Sequence, residues 1–314
     1  MKWQRLAVLA LLAIGFGSAA AQTISLAGKW RFELDRRDIG EQAHWPSRAL
    51  AGRVQVPVDL AAQGIGDEIS LETPWTGTIL DSSFFLAPEY ADYRRPGKIK
   101  VPFWLQPEKY YRGAAWYQRD VIIPAEWSDG RVQLFIERAH WETRVWIDGR
   151  FVGSQNALAT PHVYELDGLT TGKHVLTVRI DNRVIVPVGV NAHSISDHTQ
   201  GNWHGMVGRI ELIRTPAVWI QDLQVYPDVA SGSVLVKGKI GSLKAEPETI
   251  PVSLDIDPGQ YHGSALVQWD SSGGVFSVNI PMGESAALWD EFHPFLYQLT
   301  ARLPVNRDVK KVTF

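Results

Sequence analysis

The chain has 314 residues, enough for about two domains of ordinary size. Apolar residues make up 45% of it and charged residues 21%, which is the composition of a globular protein and not of a disordered or fibrous chain. The formal net charge is −3 and the lysines and arginines form no cluster, which argues against a nucleic-acid partner.

The first 21 residues have the features of an export signal. Lys2 and Arg5 precede an apolar run over Leu6–Phe16, and small residues then lead up to Ala21. We therefore expect cleavage after Ala21 and a mature protein in the periplasm or outside the cell. The run is shorter than the roughly 18 to 20 apolar residues that cross a bilayer, so we expect no membrane span, with an uncleaved anchor as the alternative.

The chain contains no cysteine. An exported protein without disulfides depends on the burial of a sizeable core for its stability. Cysteine nucleophiles, thiolate metal sites and dithiol redox chemistry are excluded by the same count.

Residues 22–216 have the pattern of an all-β domain, because short alternating runs bounded by Gly, Pro, Asp and Asn recur about every ten residues. Asp148 and Gly149 tolerate positive φ at both centres of a turn and predict a hairpin. The predicted strands include Ala114–Ile123, Arg131–Glu137, Thr143–Ile147, His174–Asn182 and Arg209–Arg214.

Thr215-Pro216 predicts a domain boundary. A proline has no N–H to donate to a β-ladder, and a second series of short strands follows it. The spacing of these strands favours a sandwich of about 100 residues over 217–314. The chain stops in what the pattern indicates is its last strand. The predicted strands are Val218–Val225, Ser233–Ile240, Val252–Ile256, Val275–Ile280 and Gln298–Leu303.

Two features of the first domain indicate a binding site. A long stretch from Ile79 to Arg112 is rich in proline and aromatic residues, which favours a packed loop over a site. Trp75, Trp104, Trp141 and Trp203 lie in or near predicted loops, where an electron-rich aromatic face could stack on a pyranose ring. The alternative is that these tryptophans are core anchors.

The segment 191–208 concentrates polar side chains between glycines, among them His193, Asp197, His198, Asn202 and His204. It is interpreted as a ligand-contacting loop, with turn capping as the alternative. Its histidines also suggest a metal site as an alternative, although their spacing matches no zinc signature.

No motif of a nucleophilic hydrolase is present, neither Gly-x-Ser-x-Gly nor His-Glu-x-x-His. Glycoside cleavage needs two carboxyl groups about 5–5.5 Å apart for retention or about 6.5–9.5 Å apart for inversion. Strand spacing identifies no such pair.

A set of short motifs, in this order and spacing, resembles the N-terminal sugar-binding domain of glycoside hydrolase family 2, the family of β-galactosidases, β-glucuronidases and β-mannosidases. A further segment, Ala287–Tyr297, resembles the Leu-Trp-x-x-x-x-Pro-x-Leu-Tyr segment that closes the family's immunoglobulin-like second domain. The motifs of the first domain are Gly28–Phe32, Val54–Pro57, Ala115–Arg119, Val145–Gly149, Asp181-Asn182 and Asn202–Gly205.

The resemblance implies a jelly-roll sandwich followed by an immunoglobulin-like β-sandwich. It also implies a catalytic (β/α)₈ barrel as partner, in cis or in trans, because the family's two catalytic glutamates lie on that barrel. The acid/base glutamate of the family follows an asparagine, and no Asn-Glu dipeptide occurs in these 314 residues. We therefore expect this chain to be inactive alone, with no catalytic residue and no cofactor of its own. In some members of the family, loops of the first domain help to hold a cation in the full-length enzyme.

By the same resemblance, loops of the first domain reach the mouth of the barrel and contact a β-linked glycan or glycoside. The positions that match are Asp197, Asn202 and Trp203. Trp104, Gln106 and Asn156 are further candidates on the same rim.

Three functions remain open from the sequence. The first is the substrate-positioning part of an exported family 2 glycosidase, the second a free-standing lectin-like module, and the third a structural or assembly module whose aromatic residues are buried against another protein.

Overall fold

A computed structural model of the chain describes residues 22–73, 87–100, 105–166, 168–186, 188, 189, 192, 195, 202–244, 246–304 and 308–314. Its strands form two compact units, Gln22–Thr215 and Pro216–Phe314. In the described residues, no helix is long and apolar enough to cross a membrane. The helical segments are short 3-10 turns at Trp45–Ser47, Ala61–Gln63, Pro88–Arg94 and Ala125–Trp127.

The first unit is a sandwich of two antiparallel sheets. A five-stranded sheet has the order β1-β13-β8-β11, with β4 paired to β13, and a six-stranded sheet has the order β10-β9-β12-β7-β2-β3. β5 and β6 form a separate ribbon. The strands are β1 (Gln22–Ser25), β2 (Gly28–Asp35), β3 (Gly52–Val56), β4 (Val58–Asp59), β5 (Asp67–Glu68), β6 (Lys109–Tyr110), β7 (Ala114–Ile123), β8 (Gly130–His140), β9 (Glu142–Ile147), β10 (Arg150–Gln155), β11 (His162–Glu165), β12 (Gly172–Asp181) and β13 (Gly205–Pro216).

The core of this unit lies between the two sheets, as the alternation in the sequence predicts. Leu134 and Ile136 on β8 are buried in one cluster with Leu176 and Val178 of β12. Removal of this apolar surface from water is the main stabilising contribution. The predicted hairpin is also present, since Asp148 has a φ of 50°.

The outer face of the six-stranded sheet is covered by the segment 36–51. Leu50 and Trp45 pack there against Trp116 and Trp146. Asp35 fixes the start of this segment, because its carboxylate accepts hydrogen bonds from two backbone amides of the following turn and from the Trp116 indole at 3.0 Å. The sheet is therefore buried on both faces near these residues.

The second unit is a seven-stranded sandwich of a three-stranded sheet, β14-β15-β18, and a four-stranded sheet, β17-β16-β19-β20. Both sheets are antiparallel and enclose one core that includes Trp269. The all-β class, with a jelly-roll sandwich followed by an immunoglobulin-like one, is confirmed. The strands are β14 (Val218–Asp228), β15 (Ser233–Ser242), β16 (Glu248–Asp257), β17 (Tyr261–Trp269), β18 (Gly274–Pro281), β19 (Gln298–Leu303) and β20 (Asp308–Thr313).

A substitution in the first core provides a test of this packing. Leu176 is fully buried, so Leu176→Ala is expected to lower the free energy of unfolding by about 2–5 kcal/mol through lost burial and a residual cavity. Urea denaturation measures the change. Ile122→Ala on the neighbouring strand is the control, because Ile122 is 69% exposed. Equal effects of the two substitutions would contradict the assignment of the core.

Candidate functional site

One end of the first sandwich collects the termini of its central strands. Ala114, at the start of β7, lies opposite both Asp35 at the end of β2 and Asp181 at the end of β12. Glu142, at the start of β9, also lies opposite Asp181, and β13 begins nearby at Gly205. We call this edge, defined by these five residues, the loop end.

Two long connections leave from and return to the loop end. The connection 69–108 joins β5 to β6, and the connection 182–204 joins β12 to β13. β5 and β6 pair at Asp67 and Tyr110, which closes the first connection at its base. Arg36, directly after β2, donates a hydrogen bond to the Asp67 carboxylate at 2.5 Å. The fold therefore presents both connections at the same edge.

The buried side chain of Asn182 joins the segment before β7 to the end of β12. Its Oδ1 accepts a hydrogen bond from the backbone amide of Gly113 at 2.9 Å, and its Nδ2 donates to the carbonyl of Tyr111 at 2.9 Å. The Tyr111 hydroxyl donates in turn to the Ala114 carbonyl at 2.7 Å. Burial raises the pKa of this hydroxyl, so it stays protonated as a donor.

His204 attaches the end of the second connection to the same segment. Its Nε2 lies 2.9 Å from the Gly113 carbonyl, an acceptor, so Nε2 carries the proton. Its Nδ1 has no hydrogen-bond partner among the described residues, and its ring lies 5.4 Å from that of Tyr111. Burial lowers the pKa of His204 to about 4. The imidazole is therefore neutral at physiological pH and holds the backbone in place.

An aromatic group lies beside this attachment. The half-buried Trp203 ring has its centroid 5.2 Å from that of the buried His140. The next residue, Trp141, is buried and donates its indole N–H to the carbonyl of Asn156 at 2.7 Å. Asn156 itself is exposed. Trp203 and Asn156 are thus connected through the His140-Trp141 pair.

A charged network occupies the same end. The buried Arg179 donates to both Asp38 and Asp181 at 2.8 Å. Arg183 donates to Asp38 at 2.6 Å and also contacts Asp181. Burial disfavours the Asp181 carboxylate, but hydrogen bonds and charge from the two arginines outweigh it and hold its pKa below the ordinary value. This network is therefore ionised and ties β12 to Asp38 in the turn after β2.

The structure brings four of the six predicted site residues, Asn202, Trp203, Asn156 and Gln106, to the loop end or its connections. Asn202 donates its Nδ2 to the carbonyl of Ile195 at 2.7 Å and is followed by Trp203. The backbone carbonyl of Asn156 accepts the hydrogen bond from the Trp141 indole. Gln106 lies within the connection 69–108, where it donates to the Ile99 carbonyl at 2.9 Å. Asp197, Trp104 and Trp75 lie outside the described residues.

The sequence analysis missed Arg179 as a part of this end and named Asp181 only within a family motif. Both lie on β12, where alternation indicated an ordinary strand, and the available signal was an arginine and an aspartate two residues apart on one face of it. His204 was interpreted as a polar loop residue, whereas it is buried.

The metal alternative has no support in the part of the chain that the structure describes. There, no group of three or more His, Asp or Glu side chains could hold a metal ion. His193, Asp197 and His198, on which that alternative depended, lie outside the described residues.

Comparison with known proteins finds relatives that are longer than this chain. The chain is 22% identical over 295 residues to a β-glucuronidase of Paenibacillus borealis, and the match covers 88% of this chain and 42% of that protein. A β-galactosidase large subunit of Lactobacillus acidophilus is 28% identical, with the same two coverages. No protein-family model matches the chain. The chain thus spans about 42% of the length of these curated relatives.

Solved structures show the same partial match. A β-glucuronidase of Ruminococcus gnavus superposes with a TM-score of 0.56 at 18% identity, covering 93% of this chain and 44% of that one. β-Glucuronidase 2 of Bacteroides uniformis gives a TM-score of 0.61 at 15% identity, covering 93% and 32%. The resemblance to the N-terminal part of family 2 glycoside hydrolases is confirmed.

The buried His204 makes stability depend on pH. Its pKa is about 4 in the folded chain against an ordinary 6.5, so the unfolded chain binds a proton that the folded chain excludes. The contribution of His204 to the free energy of unfolding is fully present above pH 6.5 and is lost as the pH falls toward 4. When the pH falls from 7 to 4.5, the free energy of unfolding falls in both proteins. We expect the fall to be about 2–3 kcal/mol smaller in His204→Gln than in the parent chain.

Urea denaturation at the two pH values measures this difference. His293→Gln is the matched control, because His293 is 84% exposed and its variant should follow the parent chain. A His204→Gln variant with the same pH dependence as the parent would show that His204 titrates normally.

Proposed function

We propose that this chain is the non-catalytic β-sandwich part of an exported family 2 glycoside hydrolase, and that the loop end of its first sandwich contacts a β-linked glycoside held by a catalytic barrel in cis or in trans. The observation that carries the proposal is the convergence of Trp203, Asn202 and Asn156 on the edge from which both long connections leave. The likeness to β-glucuronidases and β-galactosidases supports it.

The chemistry of the loop end suits a sugar. The face of an indole is electron-rich and attracts the weakly positive C–H groups of a pyranose ring, which gives Trp203 the role of a stacking platform. Amide side chains such as those of Asn202 and Asn156 both donate and accept hydrogen bonds, as sugar hydroxyls require. The ionised network of Arg179 and Asp181 at the same end of the sandwich keeps the strand ends fixed.

We assign hydrolysis to another part of the enzyme, because no carboxyl group that the structure describes shows the raised pKa of a general acid. A glycosidase needs one carboxylic acid with a raised pKa to protonate the leaving group. In the described residues, every carboxyl group with a shifted pKa is shifted downward, as hydrogen bonds and nearby cations outweigh burial at Asp38, Asp148 and Asp181. These groups are structural anions rather than general acids.

A second candidate function, a module that assembles with protein, is favoured by one observation. The connection between β18 and β19 exposes several large apolar side chains, and such a patch is typical of a surface that another protein covers. These residues are Leu288, Trp289, Phe292 and Leu296. A free-standing lectin is a third candidate, and saturable binding of the chain to a glycan array, with no effect of a barrel, would favour it.

Export is part of the proposal and has its own test. The charged and apolar pattern of the first 21 residues predicts cleavage after Ala21. When the chain is expressed with this segment in a bacterial host, we expect the exported protein to begin at Gln22 in its intact mass. Accumulation of the uncleaved chain in the membrane fraction would contradict this.

The proposed sugar contact is tested at Trp203. The chain mixed with a separately expressed family 2 barrel is expected to hydrolyse nitrophenyl β-glucuronide or β-galactoside, whereas the chain alone is expected to be silent. Trp203→Ala should lower kcat/KM by about tenfold, the usual loss when a stacking aromatic is removed. Initial rates over a range of substrate concentrations measure it.

Trp219→Ala serves as the control, since Trp219 is also half-buried but lies on β14 of the second unit. Circular dichroism checks that both variants fold. If no nitrophenyl β-glycoside is hydrolysed by the mixture, the proposed function loses its support. Equal rates for the two variants would remove Trp203 from the site.

A further inference from the structure

The outer face of the six-stranded sheet carries a cleft that the proposed function does not use. It has a volume of about 490 Å³, within the range of small-molecule sites. Its floor is formed by residues of β2, β7 and β12, and Pro46–Ala49 form one wall. Asp148, in the β9–β10 turn, also lines the cleft.

This cleft lies far from the loop end along the strands. Its floor residue Asp120 pairs with Val175, whereas the loop end is marked by the pair of Ala114 and Asp181. The two pairs are six residues apart on each strand, which corresponds to about 20 Å. A ligand in the cleft is therefore separate from one that stacks on Trp203.

The wall of the cleft is rigid. Gln118 rises from the floor, donates to the carbonyl of Arg48 at 2.9 Å and accepts from the Leu50 amide at 3.4 Å. Leu50 is buried against Trp116 on the same sheet. A wall that is fixed in the free protein costs little ordering entropy when a ligand binds.

The polar groups of the cleft alternate between donors and acceptors. Asp120 accepts from Arg31 at 2.5 Å on Oδ1 and from Lys173 at 2.8 Å on Oδ2. Asp148 accepts from the Val175 amide at 2.7 Å on Oδ1, and its Oδ2 lies 2.7 Å from Nδ1 of His174. Each carboxylate oxygen has a second lone pair, and the Lys173 ammonium has three N–H groups, so both kinds retain capacity toward a ligand.

The charges around the cleft balance. The lining holds three cations, Arg31, Arg48 and Lys173, and the carboxylates of Asp120 and Asp148. The third cation, Arg48, is neutralised by Glu33, which lies outside the lining, at 2.7 Å. Arginine and lysine hold the pKa of Asp120 below its ordinary value, so the carboxylate is ionised. A site with no net charge favours a neutral ligand over phosphate or an anionic polymer.

We propose that this cleft is a second saccharide-binding site, which holds a neutral pyranoside through two adjacent hydroxyl groups. One hydroxyl donates to the Asp120 carboxylate and its neighbour accepts from the Lys173 ammonium. Pro46 and Val175 provide the apolar surface that the C–H groups of the ring contact. Such a site would keep the protein on a glycan while the loop end contacts the terminal sugar.

The test is binding of methyl β-D-galactopyranoside and methyl β-D-glucopyranoside to the chain, measured by isothermal titration and saturation-transfer NMR, with inorganic phosphate as the anionic probe. We expect saturable binding of at least one pyranoside and none of phosphate. Asp120→Asn should weaken pyranoside binding by about tenfold, because it removes a charged acceptor. Lys173→Met, at a side chain 68% exposed, should do the same without affecting folding.

Glu137→Gln is the matched control and should bind like the parent. Glu137 also accepts from an arginine on the sandwich surface, and its side chain is 35% exposed against 36% for Asp120. Phosphate binding without pyranoside binding would overturn the proposal, as would unchanged affinity in both cleft variants. Loss of binding in Trp203→Ala alone would assign the sugar to the loop end. Failure of the proposed function is seen separately, in the hydrolysis assay with the barrel.

Discussion

The side-chain amide of Asn182 is the contact on which the geometry of the loop end depends. It satisfies the buried backbone amide of Gly113 and the carbonyl of Tyr111, and thereby fixes the segment that enters β7 against the residue that leaves β12. An unsatisfied buried backbone group costs about 1–3 kcal/mol, so no apolar side chain could replace this amide. His204 adds a second bond to the same glycine, on its carbonyl. One short backbone segment thus sets where both long connections start and finish.

The loop end combines two environments of opposite character. Around His204 the burial is so complete that the imidazole stays neutral, and the neighbouring Trp203 and His140 rings extend this apolar region. Around Arg179 the charges are buried but mutually compensated, so Asp181 remains ionised. A buried ion pair contributes little net stability, but it resists any rearrangement that would separate its partners. Stiffness rather than stability is what this network adds to the strand ends.

The sequence predicted the fold well wherever strands alternate cleanly. β7 and β19 begin and end at the predicted residues. The apolar residues of β19 recur at every second position, and β7 is an apolar-rich run that Pro124 terminates. β17 was missed, since its inward positions include Gly263 and Ala265, which carry too little apolar surface to mark a buried face. Trp203 and Asn202 could be predicted from loop composition and from the family resemblance. The roles of Arg179 and His204 could not, because they depend on partners up to 141 residues away in the chain.

Because both connections are fastened at their bases, their lengths are independent of the sandwich that supports them. Insertions or deletions within 69–108 or 182–204 leave the ladders of β7, β12 and β13 unaltered, and loop-closure entropy grows only slowly with length. Members of such a lineage can therefore diverge in the sugars they accept by exchanging loop segments, while the scaffold evolves under a separate and stricter selection for packing.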